Sequence, residues 1–330
     1  PEPDLVAFAT YVALFPHMVA GPIIRASRLL PQLRTRRRFR WPNLFVGLEQ
    51  IVVGLFLKVV IADNLGPTVD RVFATPDAFN SLYLLVGVLF FAFQIYGDFA
   101  GYSLMAIGLG RIMGYDFGVN FRRPYMARDF SDFWRRWHIS LSSWLRDYLY
   151  VSLGGNRHGR TATYRNLMAT MVLGGLWHGA AWTFIVWGTL HGLYLVLQRL
   201  LTPAWLAVAG FLRLPGWLRA TLAIVTVFAL TNVAWVFFRA ASFGDAFTIL
   251  QRILVLGDFR IAGIDLLFQV VLGSALIIGL VAVEVARQSP GFRLFWRTQR
   301  VIRATGIVAL LLVIPLFGSF SGERFIYFQF

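Results

Sequence analysis

Residues 81 to 110 read SLYLLVGVLFFAFQIYGDFAGYSLMAIGLG, and Asp98 is the one charged residue among them. The hydrocarbon core of a bilayer is about 30 Å thick, so roughly 20 apolar helical residues cross it. Backbone groups in lipid must pair within their own segment, and this run is too long and too unalternated for a barrel strand. The stretch therefore predicts a membrane-spanning helix and an all-α fold.

Other apolar runs predict a polytopic membrane protein. Four lack Asp, Glu, Lys and Arg altogether, at residues 5–24, 220–238, 266–283 and 304–322. A fifth run, 43–62, is interrupted by Glu49 and Lys58 and is also predicted to be a span. The 330-residue chain is 58% hydrophobic and 14% charged, whereas an ordinary soluble domain carries about 25% charged residues. A water-soluble globular domain is excluded.

The charge pattern predicts which loops face the cytoplasm. Seven arginines and no acid lie in residues 25–40, ten arginines and four aspartates in 111–165, and three aspartates with one arginine in 63–77. Because cytoplasmic loops collect Lys and Arg, segments 25–40 and 111–165 are predicted to face the cytoplasm and segment 63–77 to face the opposite side. Attraction to the membrane surface explains the net charge of +15. Lipids, and not nucleic acid, are therefore the predicted partners. With no Cys, chemistry must use His, Ser, Asp or Arg, and no metal site is predicted.

Residues 166–198 are uncharged yet join two loops that both read as cytoplasmic. The chain must therefore enter the membrane and come back to the same side within 33 residues. This length predicts either two short helices or a hairpin that dips partway into the membrane. His178 lies near the turn, about 18 Å along a helix from Asn166. Three glycines predict a broken helix there: Gly174, Gly175 and Gly179.

An ionisable group at that depth suggests a functional site, because lipid penalises it unless it meets a partner or a polar cavity. From the residues alone, His178 is either such a group or a neutral histidine bonded to a nearby carbonyl, and both interpretations stay open. On an unbroken helix, His191 lies on roughly the opposite face from His178. We therefore assign His191 a structural role.

Residues 129–148 read DFSDFWRRWHISLSSWLRDY, which is too charged for a lipid-exposed span. Ser131 is the predicted N-cap of a helix. That helix would carry Trp134 and His138 on one apolar face, with His138 pointing inward. The spacing alone favours a simpler alternative, an interfacial amphipathic helix whose arginines snorkel to the surface.

Seven motifs, taken in order, resemble the membrane-bound O-acyltransferases, most of all their alginate O-acetyltransferase branch. They are Phe15–Ile23, Asp98–Ser103, Phe133–Leu141, Arg146–Tyr150, Gly154–Gly159, Gly175–Trp182 and Phe325–Phe330. The resemblance covers nearly the whole chain. It implies a single all-α polytopic membrane domain over 1–330, a helical bundle around a central tunnel with re-entrant or short broken helices. It also implies further membrane helices upstream of Pro1, so we expect the chain to be a fragment.

The resemblance also implies two regions of that domain with distinct histidines. Residues 111–165 would form a cytoplasmic-side amphipathic or re-entrant region carrying His138, and residues 166–198 a membrane hairpin carrying His178. His178 would be the general base that deprotonates a hydroxyl as it attacks an acyl thioester. His138 would orient His178 or bind the donor. The candidate substrate-binding residues are Trp134, Arg136, Arg146, Asp147, Trp177 and Asp98.

We expect a multi-pass protein of the bacterial inner membrane that holds no bound cofactor and uses acetyl-CoA or another acyl thioester as a donor substrate. It would move acetyl groups toward an exported polysaccharide or cell-wall glycan and hand them to an extracytoplasmic acyltransferase or polysaccharide-modification partner. D-alanyl or longer-acyl transfer from a carrier protein stays open, as does a non-catalytic scaffold in an export complex. The chain departs from the family pattern at Leu104, where an acid is usual, and at His17, where Gln is common.

Overall fold

The computed structural model describes residues 4–18, 21–255 and 264–320, and no β-strand occurs within those ranges. The α-helices are α1 Leu5–Ala13, α2 Phe15–Met18, α3 Ala26–Leu33, α4 Trp41–Leu55, α5 Asp63–Ala74, α6 Ser81–Ile112, α7 Phe130–Trp134, α8 Ile139–Leu145, α9 Gly159–His178, α10 Trp182–Phe211, α11 Gly216–Arg239, α12 Phe243–Val255, α13 Ile264–Ala286, α14 Pro290–Thr298 and α15 Arg300–Phe317. Two π-helical turns, Phe56–Ala62 and Arg146–Tyr150, interrupt this pattern. The predicted motif Phe325–Phe330 lies outside the described residues.

Five of the described helical runs are long and apolar enough to cross a membrane. They are Trp41–Ala74, Ser81–Ile112, Trp182–Phe211, Gly216–Arg239 and Leu267–Ala286. A pair bent by 83°, Pro290–Trp296 with Val301–Phe317, would make a sixth span. The prediction of an all-α, multi-pass membrane protein is confirmed.

The predicted single span at residues 5–24 is wrong. Helix α1 has nine residues and ends where Leu14 turns to an extended backbone (ψ 98°), and α2 has only four. Pro16 explains the break, because proline lacks an N–H and its ring clashes with the preceding helical turn. Nine helical residues extend about 14 Å and cannot cross a bilayer.

Two predicted loops are largely helical. Most of 63–77 forms α5, which continues the Trp41–Ala74 run and buries Val69 and Val72 fully. The predicted loop that follows residue 198 begins as the end of α10, which continues past Pro203 to Phe211. Charge counting identifies a region poor in apolar residues, but it does not distinguish a loop from a helix with one buried face.

The chain divides into two compact units. The first contains the described residues within 1–67, 93–120 and 264–329, and the second contains those within 68–92 and 121–263. In the first unit, glycines bring two backbones together: a Cβ on Gly54 would lie 2.6 Å from the Gly101 carbonyl oxygen. Small residues permit this close approach of membrane helices.

In the second unit, α9 and α10 form an antiparallel hairpin. A Cβ on Gly175 would lie 2.3 Å from the Phe184 carbonyl oxygen, and one on Gly188 would lie 2.3 Å from that of Met171. The hairpin therefore consists of two long helices in backbone contact, and α10, with 30 residues, is not short. Among the glycines predicted to break the helix, only Gly179 lies at the break.

We expect Gly175→Ala to destabilise the protein, because the new methyl group would overlap the carbonyl oxygen of Phe184 and force the helices apart. Overpacking of this kind costs about 1–3 kcal/mol, measurable by thermal unfolding of the purified chain in detergent. Gly210→Ala is the control on the same hairpin, since no atom lies within 4 Å of its added Cβ. Equal melting temperatures for the two variants would contradict the packing argument.

Candidate active site

The segment around His138 does not form the predicted continuous helix. Helix α7 ends at Trp134, and α8 begins only at Ile139. His138 lies between them with a left-handed backbone (φ 42°), uncommon for a residue other than glycine. Asp129, not Ser131, caps α7, and its Oδ1 accepts a hydrogen bond of 2.7 Å from the Asp132 N–H. His138 thus points inward because of this turn and not because of a helical stripe.

The His138 side chain is buried, with 3% of the residue exposed. The Ser140 hydroxyl lies 3.3 Å from its Nδ1, and the Phe121 ring stacks on it with centroids 6.4 Å apart. Burial, and second to it the charge of His178, lowers the pKa of His138 well below its ordinary value. His138 is therefore neutral at neutral pH.

This lowered pKa predicts a pH-dependent stability. The unfolded chain binds a proton at His138 with a pKa near 6.5 and the folded chain does not, so the folded state loses stability as pH falls below that value. Between pH 7 and pH 5, we expect the parent to lose about 2 kcal/mol more than His138→Asn in unfolding experiments. His158→Asn, at an exposed position, should follow the parent. A His138→Asn curve parallel to the parent would refute the assignment.

His178 is the last residue of α9, and aromatic rings surround it. Its ring centroid lies 5.0 Å from that of Trp187, 5.2 Å from Phe238 and 5.1 Å from Trp177. Trp187 comes from α10 and Phe238 from α11, so three helices meet at this imidazole. Trp177 is 54% exposed and contacts the His178 ring edge-on.

His191, to which we assigned a structural role from the sequence, belongs to the same group of aromatic rings as His178. The helix is broken at Gly179, so α10 returns alongside α9 and the opposite-face argument fails. Trp187 and His191 are four residues apart on α10, with ring centroids separated by 5.0 Å. Trp134 of α7 also lies 5.0 Å from His191. The four-residue spacing of Trp187 and His191 is the signal that could have identified this residue.

The predicted arginines lie in ion pairs near the ends of α7 and α8. Arg136 Nε is 2.9 Å from Asp132 Oδ2, and its carbonyl oxygen accepts a 2.9 Å hydrogen bond from the Arg122 N–H. Arg146 Nε lies 2.6 Å from Asp147 Oδ1 in the second π-helical turn, with 64% and 30% of the side chains exposed. Arg136 thus fixes the turn that holds His138, whereas the Arg146–Asp147 pair faces outward.

Asp98 belongs to the first compact unit, where it lies in an ion-pair cluster. Its Oδ1 lies 2.8 Å from Lys58 Nζ, and Asp63 Oδ1 lies 2.6 Å from the same nitrogen. These three side chains are each 9% exposed or less. In the parts of the chain that the structure describes, no three His, Asp or Glu side chains come together to hold a metal ion.

Comparison with known proteins gives a consistent result. The model of the membrane-bound O-acyltransferase family matches residues 2–238. A probable alginate O-acetylase of Azotobacter vinelandii is 44% identical over 262 residues, 79% of this chain and 50% of that protein. A peptidoglycan O-acetyltransferase of Helicobacter pylori is 40% identical over 246 residues, 74% and 46% of the two chains.

A more distant relative acts on another polymer. The teichoic acid D-alanyltransferase of Streptococcus thermophilus is 30% identical over 220 residues, 62% of this chain and 52% of that protein. The chain spans about half the length of the curated relatives it matches.

Proposed function

The chain belongs to the membrane-bound O-acyltransferase family, and from this premise we propose that it moves an acetyl group from a thioester donor toward a hydroxyl of an exported polysaccharide or cell-wall glycan. The observation that carries the proposal is the His178 imidazole at the end of α9, which packs against the rings of Trp187 and Phe238. The names of the 40–44% identical relatives support acetyl as the group transferred.

In this proposal His178 is the general base. It takes the proton of the acceptor hydroxyl as that oxygen attacks the thioester carbonyl carbon, and it returns the proton to the departing thiolate. Because His178 ends α9, the partial negative charge of the helix C-terminus favours the transient imidazolium. The aromatic rings around it limit the access of water, which would otherwise hydrolyse the thioester.

The remaining predicted residues have supporting roles in this scheme. His138 positions His178, and Arg136 positions the turn of His138. Trp134 and Trp177 would contact the acyl donor, and the outward-facing Arg146 and Asp147 would receive it at the cytoplasmic surface. Asp98 would act within its own unit through its ion pair with Lys58.

The location of the protein, its acyl donor and its partner are also proposed. The arginine-rich segments 25–40 and 111–165 would face the cytoplasm of a bacterium, which supports the inner membrane as the proposed location. Acetyl-CoA is the proposed donor, and the acetyl group would pass to an extracytoplasmic acyltransferase or polysaccharide-modification partner. The D-alanyltransferase relative supports a second candidate, D-alanyl or longer-acyl transfer from a carrier protein.

A donor comparison tests the proposal. Membranes from cells that express the full chain would be incubated with radiolabelled acetyl-CoA or with a carrier protein charged with labelled D-alanine. We expect label to enter the glycan fraction from acetyl-CoA in the parent and not in His178→Ala at equal abundance. Label from the charged carrier alone would favour the second candidate. A glycan that is modified equally with and without His178 would favour a non-catalytic scaffold.

A further inference from the structure

Several buried nitrogen atoms in the second compact unit have no hydrogen-bond partner among the described residues. They are both ring nitrogens of His191 and the indole nitrogens of Trp134, Trp187 and Trp235. His191 and Trp235 are fully buried, and Trp187 is 2% exposed. These atoms belong to one cluster of touching rings, because His191 contacts each of the three indoles with centroids 5.0 to 6.4 Å apart.

Unmet polar groups in such number need an explanation, since buried polar atoms in proteins nearly always have a partner. An indole N–H can only donate a hydrogen bond, and an imidazole can donate through one nitrogen in its neutral form. Four of the five unmet nitrogens are therefore donors, and the group that completes the cluster must offer them a hydrogen-bond acceptor. Neutral oxygen atoms, such as a carbonyl, fit this requirement in an aromatic environment that would penalise a full charge in the resting state.

The position of the cluster indicates which oxygen is involved. Trp187 contacts the His178 ring on one side and the His191 ring on the other, each at 5.0 Å between centroids. A reacting group at His178 would thus lie beside the first member of the donor cluster. Preorganised donors near a reacting carbonyl stabilise the negative charge that its oxygen gains in the transition state.

We propose that Trp187, His191 and Trp134 form a buried acceptor-oxygen site that binds the thioester carbonyl oxygen and stabilises it as an oxyanion. The proposal rests on the proposed function and adds the residues that stabilise the intermediate. When the acceptor oxygen bonds to the carbonyl carbon, its proton moves to His178 and the carbonyl π pair moves to the bound oxygen. The C=O bond then re-forms, the C–S bond breaks, and the thiolate takes the proton from His178.

Two apolar replacements test the site, and both are expected to lower activity strongly while changing stability little. Trp187→Phe and His191→Phe keep an aromatic ring and remove the donors, and each should lower kcat about 10²- to 10³-fold with little change in KM. Because each also removes an unmet buried polar group, neither should lower the melting temperature by much. His191→Asn retains an N–H and should recover part of the lost kcat.

The control is Trp205→Phe, which changes a 38% exposed indole on the same helix and should leave kcat unchanged. Substituting benzothienylalanine at position 187 preserves the ring shape and replaces the N–H by sulfur. The enzyme with benzothienylalanine at position 187 is compared with Trp187→Phe. If the first is fully active and the second is defective, activity depends on the ring shape and the donor proposal is overturned.

Unchanged kcat in Trp187→Phe and His191→Phe also overturns the donor site, and shows that the unmet nitrogens only pack. In that case the loss of transfer in His178→Ala, measured in the same assay, would keep the proposed function intact. If the parent itself transfers no acyl group from any thioester, the proposed function and the oxyanion site fail together.

Discussion

Replacing His178 with alanine should lower acyl transfer to the glycan by roughly 10²- to 10⁴-fold while the protein remains in the membrane at the parent level. The imidazole is the group that would accept the hydroxyl proton, and alanine offers no substitute. The measurement is O-acetylation of cell-surface polysaccharide in cells that carry the gene, normalised to membrane abundance.

The loss should be specific to this position. His158→Ala removes a histidine that is exposed, and it should keep parental acetylation. Glutamine at position 178 retains hydrogen bonding but cannot act as a base at neutral pH, so it should be as inactive as alanine. Persistent acetylation in His178→Ala would show that another group is the base or that acetyl is not the group transferred.

The largest effect on stability is expected from Lys58→Met. The ammonium group lies within 2.8 Å of carboxylate oxygens on both Asp63 and Asp98, and its side chain is 9% exposed. Removing one partner from a buried ion pair costs about 3–5 kcal/mol, because the remaining charge loses its compensation in a poorly solvated place. Chemical unfolding of the purified chain in detergent would measure this loss.

A surface ion pair in the same unit gives the comparison. Arg28 lies 2.7 Å from Asp116, but 49% and 69% of the two side chains are exposed. Arg28→Met should therefore cost at most about 1 kcal/mol. Adding Asp98→Asn to Lys58→Met should restore part of the stability. Equal losses in Lys58→Met and Arg28→Met would show that burial does not set the strength of the Lys58 interaction.

Two of the long membrane helices were predictable from sequence to within a few residues. The run at 81–110 corresponds to α6, Ser81–Ile112, and the run at 220–238 corresponds to α11, Gly216–Arg239. Their length and lack of charge leave a helix as the only structure that satisfies its own backbone in lipid. The prediction of a span at 5–24 failed because a hydropathy argument gives no weight to the conformational effect of Pro16.

The details of the candidate site were harder to predict, because they depend on departures from regular helical geometry. The left-handed backbone at His138 is uncommon for a residue other than glycine, and the spacing of the neighbouring residues predicts a continuous helix there instead. The place of His191 beside Trp187 and Trp134 was not predicted, because the argument from helix faces assumed an unbroken helix through Gly179. The contact between Lys58 and Asp63, five residues apart, follows from π-helical geometry in Phe56–Ala62 and not from the usual spacing of three or four.

The link of three residues between α9 and α10 has a consequence for biogenesis. Helix α9 carries Arg160 and Arg165 and is not among the five candidate spans, whereas α10 is. A helix of that polarity partitions poorly into lipid on its own, so α9 should remain at the translocon until α10 has been synthesised. Their glycine contacts would then let both helices enter the bilayer together, which makes residues 159–211 one insertion unit and places His178 at its leading tip.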